Sequence, residues 1–361
     1  MSFGERFLHN PDLFPARRAG EVWGDREVIL DLPGGPYRLA GLAAAQEESL
    51  RSGYGDLCRP RGAAPPPADR AAAVAPGTVT EARIFRAAAA DFRQFDTRGW
   101  DYELDTDNTP EAVRLAGLRL LARLEWRPTL AAALWTSEGE GELFPGICEN
   151  FLRILVAYRL LEAGGVVLHS AGLLLAGSAF LFLGRSGAGK TTLARLASER
   201  GAEVLSDDLN AVCPANPAGP ANPANPPNPP NPASPPILPE ARPAAALALV
   251  HKLPFTGDLG DRAVQRPPAA LRAFFRLEKA AGDADDAIAP LSRAEAVACM
   301  LACAPFVNAD PHRRERLLSN LLDLLPAGRD AAGAYSLRFS LAGGFWSILN
   351  ERWQISTARA C

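Results

Sequence analysis

Apolar and polar positions alternate along residues 28–42, VILDLPGGPYRLAGL, on both sides of a Pro-Gly-Gly break. That pattern predicts a strand, a tight turn and a return strand, with a polar helix following over 43–52. From Thr78 the runs VTEARIFRAA and GWDYELD are strand-like, and Val113, Leu115, Leu118, Leu120 and Leu121 trace a stripe that predicts a helix over 111–124. A second stripe, Phe151, Leu152, Leu155, Tyr158 and Leu161, predicts a helix over 149–162 that ends at Gly164-Gly165. Three short strands should follow at 166–168, 173–176 and 179–183, the last two joined by a Gly177-Ser178 turn. Further on, the pattern predicts a helix over 191–200 and strands over 202–206, 209–212, 271–277 and 335–341. Ser292 and Glu295 form a capping box that opens a helix to Cys303, and Asp310-Pro311 caps another to Leu325. Strands alternating with helices place the chain in the α/β class.

Two biased stretches divide this pattern. Residues 59–77 are rich in Pro, Ala and Gly, and 214–236 repeats Asn-Pro five times and holds eleven of the 32 prolines. Neither can supply regular ladder or helix hydrogen bonds. The expected organisation is a small strand-helix segment (1–58), a linker (59–77), an α+β subdomain (78–148), and a domain over 149–361 that carries the Asn-Pro insertion as a disordered loop at 214–236.

Composition removes several functions. With 38 Lys plus Arg against 41 Asp plus Glu, the 361-residue chain has a net charge of -3, which argues against nucleic acid or a membrane surface as a partner. Residues 166–183 are apolar enough to suggest a membrane span, but Gly172, Gly177, Ser178, His169 and Ser170 interrupt them and favour buried strands. The six cysteines include no CxxC pair, and the N-terminus lacks a signal-peptide pattern, so a cytoplasmic protein with free thiols is expected.

The strongest chemical signal is Gly184-Arg185-Ser186-Gly187-Ala188-Gly189-Lys190-Thr191, which matches G-x-x-x-x-G-K-[ST] between a predicted strand and a predicted helix and is followed by Thr192. The glycines turn backbone N–H groups toward phosphate oxygens, and the helix N-terminus adds its positive dipole end. Lys190 is one of only three lysines; it should contact the β and γ phosphates while the Thr191 hydroxyl reaches Mg²⁺. Asp207-Asp208 ends the next strand. One carboxylate can hold Mg²⁺ while the other takes a hydroxyl proton, or both can cap the turn that follows. His169 either bonds an Asp or phosphate near the loop or is a satisfied core histidine. Arg185, inside the loop, either contacts nucleotide or substrate or is solvated; Lys252, Asp258, Arg262 and Arg266 are weaker candidates for charge stabilisation, and the turn-rich stretch 251–258 could close over the site.

Leu168-His169-Ser170-Ala171-Gly172, the glycine loop through Thr192, and Val204-Leu205-Ser206-Asp207-Asp208 together resemble the nucleotide-binding core of the HPr kinase/phosphorylase family of bacterial serine kinases. The hairpin into the loop also looks like the fold shared with phosphoenolpyruvate carboxykinase. The resemblance implies a P-loop core of the HPr kinase/phosphoenolpyruvate carboxykinase type with a mixed sheet, behind a small α+β N-terminal region, in a homo-oligomer. It implies Asp207 as catalytic base, Asp208 as metal support, and His169 in the charge network around Asp207. The function expected from it is a Mg-ATP-dependent kinase acting on a serine-like hydroxyl of a protein, peptide or small molecule. The alternatives are an ATPase and a nucleotide-binding scaffold or sensor.

Overall fold

The computed structural model describes residues 21–60, 79–89, 104–117, 119–126, 129–139, 142–215, 248–260, 267–280, 286–325, 333–340 and 343–355. Most of the Pro-rich linker, the Asn-Pro insertion from 216, nearly all of GWDYELD, and Arg262 and Arg266 lie outside these residues.

The Pro-Gly-Gly break forms the expected hairpin, with β1 (Arg26–Leu32) antiparallel to β2 (Gly35–Leu42), followed by helix α1 (Ala44–Tyr54). Strands β3 (Thr80–Arg86), β4 (Asp105–Asn108), β5 (Ala112–Gly117), β6 (Leu120–Trp126) and β7 (Leu130–Thr136) join that hairpin in one sheet, ordered β1-β2-β3-β7-β6-β5-β4. The helix expected over 111–124 is instead the β5–β6 hairpin. Val113 and Leu115, then Leu120, Ala122 and Leu124, are each at most 3% exposed, a two-residue period that the five-residue step across the turn disguised as a helical stripe. Arg119, with φ of 53°, turns the chain between the two strands.

Helix α2 (Phe144–Glu162) starts earlier than its stripe predicted and is buried nearly all round. A helix apolar on every side belongs between layers, and α2 packs on β6 and β7 of the first sheet as well as on β8 (Val166–Leu175) of the second. The expected strands 166–168 and 173–176 are therefore one ten-residue strand, β8, running through His169 and Gly172. Its partner β9 (Ser178–Leu183) follows after Ala176-Gly177 rather than Gly177-Ser178; both turn residues have positive φ, 47° and 76°, as a two-residue type I′ hairpin requires.

Beyond β9 come α3 (Lys190–Glu199), β10 (Glu203–Ser206), β11 (Leu209–Pro214), β12 (Ala248–Lys252) and β13 (Ala269–Lys279). The last elements are β14 (Ala287–Pro290), α4 (Arg293–Ala302), α5 (Arg314–Asp323), β15 (Ala334–Phe339) and α6 (Phe345–Trp353). His251 and Lys252 belong to β12, not to the turn expected there, and the Asp310-Pro311 turn precedes α5 by three residues. Ser292 and Glu295 do form the capping box of α4.

Strands β8 and β13 are each shared by two pairing paths. β9 pairs antiparallel with β8 and parallel with β13, while β11 and β12 connect the same two strands along antiparallel ladders, closing a ring of five strands. With β13 and β15 also parallel, the architecture is α/β with mixed sheets. β10 and β11 run consecutively along β8, with a bulge between Val204 and Ser206, so Asp207 and Asp208 sit where one strand ends and the next begins.

Candidate functional site

A cleft of about 950 Å³ opens at the end of β9, where the chain turns into α3. Its floor is the glycine loop. Gly189 caps α3 with φ of 100° and lies against the Phe339 ring, 2.7 Å from where a Cβ would be, so conformation and space both require glycine. Lys190, 6% exposed, folds back so that its Nζ donates to the carbonyls of Gly184 (2.9 Å) and Arg185 (3.2 Å). Burial lowers its pKa despite the carboxylates nearby.

Asp207 and Asp208 have different surroundings. Asp207 is 5% exposed, and its Oδ2 has no hydrogen-bond partner among the described residues. Burial raises its pKa above the ordinary carboxylate value, with the Thr191 hydroxyl and the Leu259 backbone N–H pulling the other way. Asp208 is held from both sides. Arg153 Nη1 donates to its Oδ2 at 2.7 Å, and His169 Nε2 lies 3.3 Å from its Oδ1. The pKa of His169 is lowered chiefly by burial and then by Lys190, with Asp208 opposing, so the imidazole is neutral near pH 7.

The roof comes from the segment after β12, and α2 ties it down. Arg153 Nη2 donates to the Thr256 carbonyl (2.6 Å), while Glu149 accepts from the Thr256 N–H (2.9 Å) and hydroxyl (3.3 Å). Arg153 also stacks over Phe255. This seats Gly257 against Asp207 and brings Asp258 Oδ2 to 3.2 Å from the Thr191 hydroxyl.

Lining the cleft are His169, Ser186, Gly187, Gly189, Lys190, Thr191, Thr192, Asp207 and Asp208, all anticipated from sequence, together with Asp258. Gly184 and Arg185 meet the site through their carbonyls on Lys190, neither they nor Ala188 line the cleft, and Lys252 lies apart in β12. Thr256 and Gly257 belong to the stretch 251–258 expected to close over the site, and both line the cleft; sequence reasoning did not single out Arg153 or Glu149, nor Lys279 and Ser340, which also line it. Glu149 and Arg153 do carry one signal, an i,i+4 pair of opposite charges on an otherwise apolar helix.

Hard oxygen donors face one another at Thr191, Asp207 and Asp258, a set that suits Mg²⁺. No three His, Cys, Asp or Glu side chains among the described residues are grouped to hold a metal unaided. Asp208 has one partner on each oxygen, Arg153 on Oδ2 and His169 near Oδ1, and keeps lone pairs that a metal could use. No protein-family model matches the chain, and no curated protein matches it. Among the described residues no helix is long and apolar enough to cross a membrane.

Proposed function

We propose that the protein is a Mg-ATP-dependent phosphotransferase of the kind its resemblance to HPr kinase implies, with a P-loop core that moves a γ-phosphoryl group to a serine-like hydroxyl. The observation that carries this reading is the meeting, in one cleft, of a glycine loop with its lysine and threonine and a buried carboxylate with an unengaged oxygen.

Phosphoryl transfer depends on positioning and electrostatics, and each group has a role to fill. Lys190 exchanges its two carbonyl partners for phosphate oxygens. Asp207 accepts the proton of the attacking hydroxyl; its raised pKa makes it a better base than an ordinary carboxylate and moves the acid limb of the rate profile upward. Asp208, neutralised by Arg153 and oriented by His169, holds the field around Asp207 steady. Thr191 and Asp258 would hold Mg²⁺, which supplies charge neutralisation on the phosphates when bound. Lys279 adds a second cation to the cleft lining.

The test is transfer from γ-labelled ATP and Mg²⁺ into fractionated extract of the source cells by wild type, Lys190→Ala and Asp207→Asn. Label should enter a protein, peptide or metabolite with wild type alone. Absence of transfer, with nucleotide binding that survives Asp207→Asn, would favour a nucleotide-binding scaffold instead.

A further inference from the structure

A second cavity of about 320 Å³ adjoins the nucleotide cleft and is used by no step above; Asp207 and Gly257 line both. The Asp207 side chain, 5% exposed and with its Oδ2 unpartnered among the described residues, therefore borders two spaces at once. The second half of α3, the strand β10 and Leu259 form the other walls. Two opposite charges come from α3. Arg195 and Glu199 are exposed, stand one helical turn apart, and have no ion pair among the described residues. Side chains at that spacing have Cβ atoms about 5–6 Å apart. Glu199 is the last residue of α3, where the helix dipole disfavours an anion, so a cation beside it is favoured by both the carboxylate and the helix end. Ser206 Oγ accepts the N–H groups of Asp208 and Leu209, both at 3.2 Å, and its own proton has no acceptor among the described residues. Leu259, 37% exposed, adds an apolar lip.

Resting on the phosphotransferase reading, we propose that this cavity seats the phosphoryl acceptor and that the acceptor is a free hydroxy amino acid of the size of serine. Its carboxylate meets Arg195, its ammonium meets Glu199, and its hydroxyl reaches Asp207. An internal serine of a protein brings neither charge, so a lining that offers both signs selects the free compound. The volume agrees, lying at the low end of the roughly 300–1,000 Å³ of small-molecule pockets. In the transfer, the serine hydroxyl oxygen attacks the γ-phosphorus of ATP, the new O–P bond forms, the bond from phosphorus to the bridging oxygen breaks, and ADP leaves with that electron pair. The hydroxyl proton passes to Asp207 and then to water, so serine and ATP become phosphoserine and ADP with one proton released.

The test is equilibrium dialysis of the full chain against labelled L-serine, with Mg²⁺ and a non-hydrolysable ATP analogue present. Binding should saturate. Arg195→Ala and Glu199→Ala should each weaken it about tenfold or more while affinity for the ATP analogue stays within twofold. Ethanolamine, which lacks the carboxylate, and glycerate, which lacks the ammonium, should compete at least about tenfold more weakly than unlabelled serine. With Mg-ATP in place of the analogue, wild type should form phosphoserine. Absence of saturable serine binding overturns the proposal, as does binding that both variants retain. Label that enters an extract protein equally with wild type, Arg195→Ala and Glu199→Ala overturns it while leaving the phosphotransferase reading intact. Serine that binds through Arg195 and Glu199 but is never phosphorylated, with no transfer into any extract fraction, counts against the phosphotransferase reading and leaves the amino-acid site standing.

Discussion

At Gly257 a methyl group has nowhere to go: a Cβ would lie 2.1 Å from Asp207 Oδ1 and 3.4 Å from the Asp208 Cβ. Gly257→Ala must therefore shift Asp207, and a displacement near 1 Å at a reacting group costs on the order of 10²-fold in rate. The expected result is a fall of that size in kcat with nucleotide affinity nearly unchanged; a kcat within twofold of wild type would contradict it. The oxygen donors make a second prediction. Since Asp258 already bonds Thr191 while Asp208 is committed to Arg153 and His169, Asp258→Asn should raise the Mg²⁺ concentration needed for half-maximal transfer more than Asp208→Asn does. A titration of rate against Mg²⁺ reads the difference, and the reverse order would return the metal to Asp208. His251 governs stability rather than chemistry. Burial lowers its pKa to about 4, and its Nε2 has no partner among the described residues. Between 6.5 and 4 the unfolded chain binds a proton that the folded one refuses, so stability falls as pH drops through that window, by about 3 kcal/mol in all. Urea midpoints at pH 7 and 4.5 should therefore draw together in His251→Gln. At this scale the sequence was legible wherever a motif fixes residue types at fixed spacing, as in Gly184 to Thr191, and silent at Gly257, whose meaning depends on a carboxylate fifty positions earlier.

Elements were legible where one period ran unbroken. The Pro-Gly-Gly hairpin and the Ser292 capping box follow from local chemistry, and the structure has both. The β5–β6 hairpin was misread because a turn between two alternating strands can restore the spacing of a helical face, and only the burial of Val113, Leu115, Leu120 and Ala122 on one side separates the two. β8 was cut in two for a different reason: polar His169 and small Gly172 look like punctuation, yet Gly172 is the place where the Asn210 side chain crosses, 2.5 Å from a virtual Cβ. Asn210 Nδ2 donates there to the Ser170 carbonyl at 2.8 Å, a tie between β11 and β8 that no local pattern announces. The β8–β9 turn makes its own prediction. Ala176 has φ of 47°, a conformation that costs an alanine about 1 kcal/mol and suits asparagine before glycine. Ala176→Asn should raise stability by about 0.5–1 kcal/mol in a denaturant titration; destabilisation would mean the turn depends on something other than its backbone.

Across the molecule, the contacts that build the site are the least local ones. Arg153 reaches Asp208 from 55 positions away and Thr256 from 103, and both connections exist because α2 lies between the two sheets. The sequence pattern divides the chain into a strand-helix segment (1–58), a linker (59–77), an α+β subdomain (78–148) and a domain over 149–361. Yet one hydrophobic cluster runs from Val28, Leu39 and Ile84 through Phe151, Leu155 and Tyr158 to Val167, Ala211 and Leu317. Polar contacts cross the same boundary: Arg313 lies over the Trp126 ring at 3.6 Å and donates to the carbonyls of Thr109 and Pro110, and Trp126 donates to Glu162. If α2 completes both cores, unfolding of either sheet strips α2 of one of its partners and exposes apolar side chains worth about 1.5–3 kcal/mol each. Unfolding should then be a single transition in which amides of β2 and β6 and amides of β9 and β13 lose protection at one denaturant concentration. Truncating Phe151 to Ala should cost about 3–5 kcal/mol of stability and move that common midpoint to lower denaturant without splitting it. Two separate midpoints, with β9 and β13 still protected after β2 and β6 have opened, would make the first sheet an independent domain and reduce α2 to a part of the second.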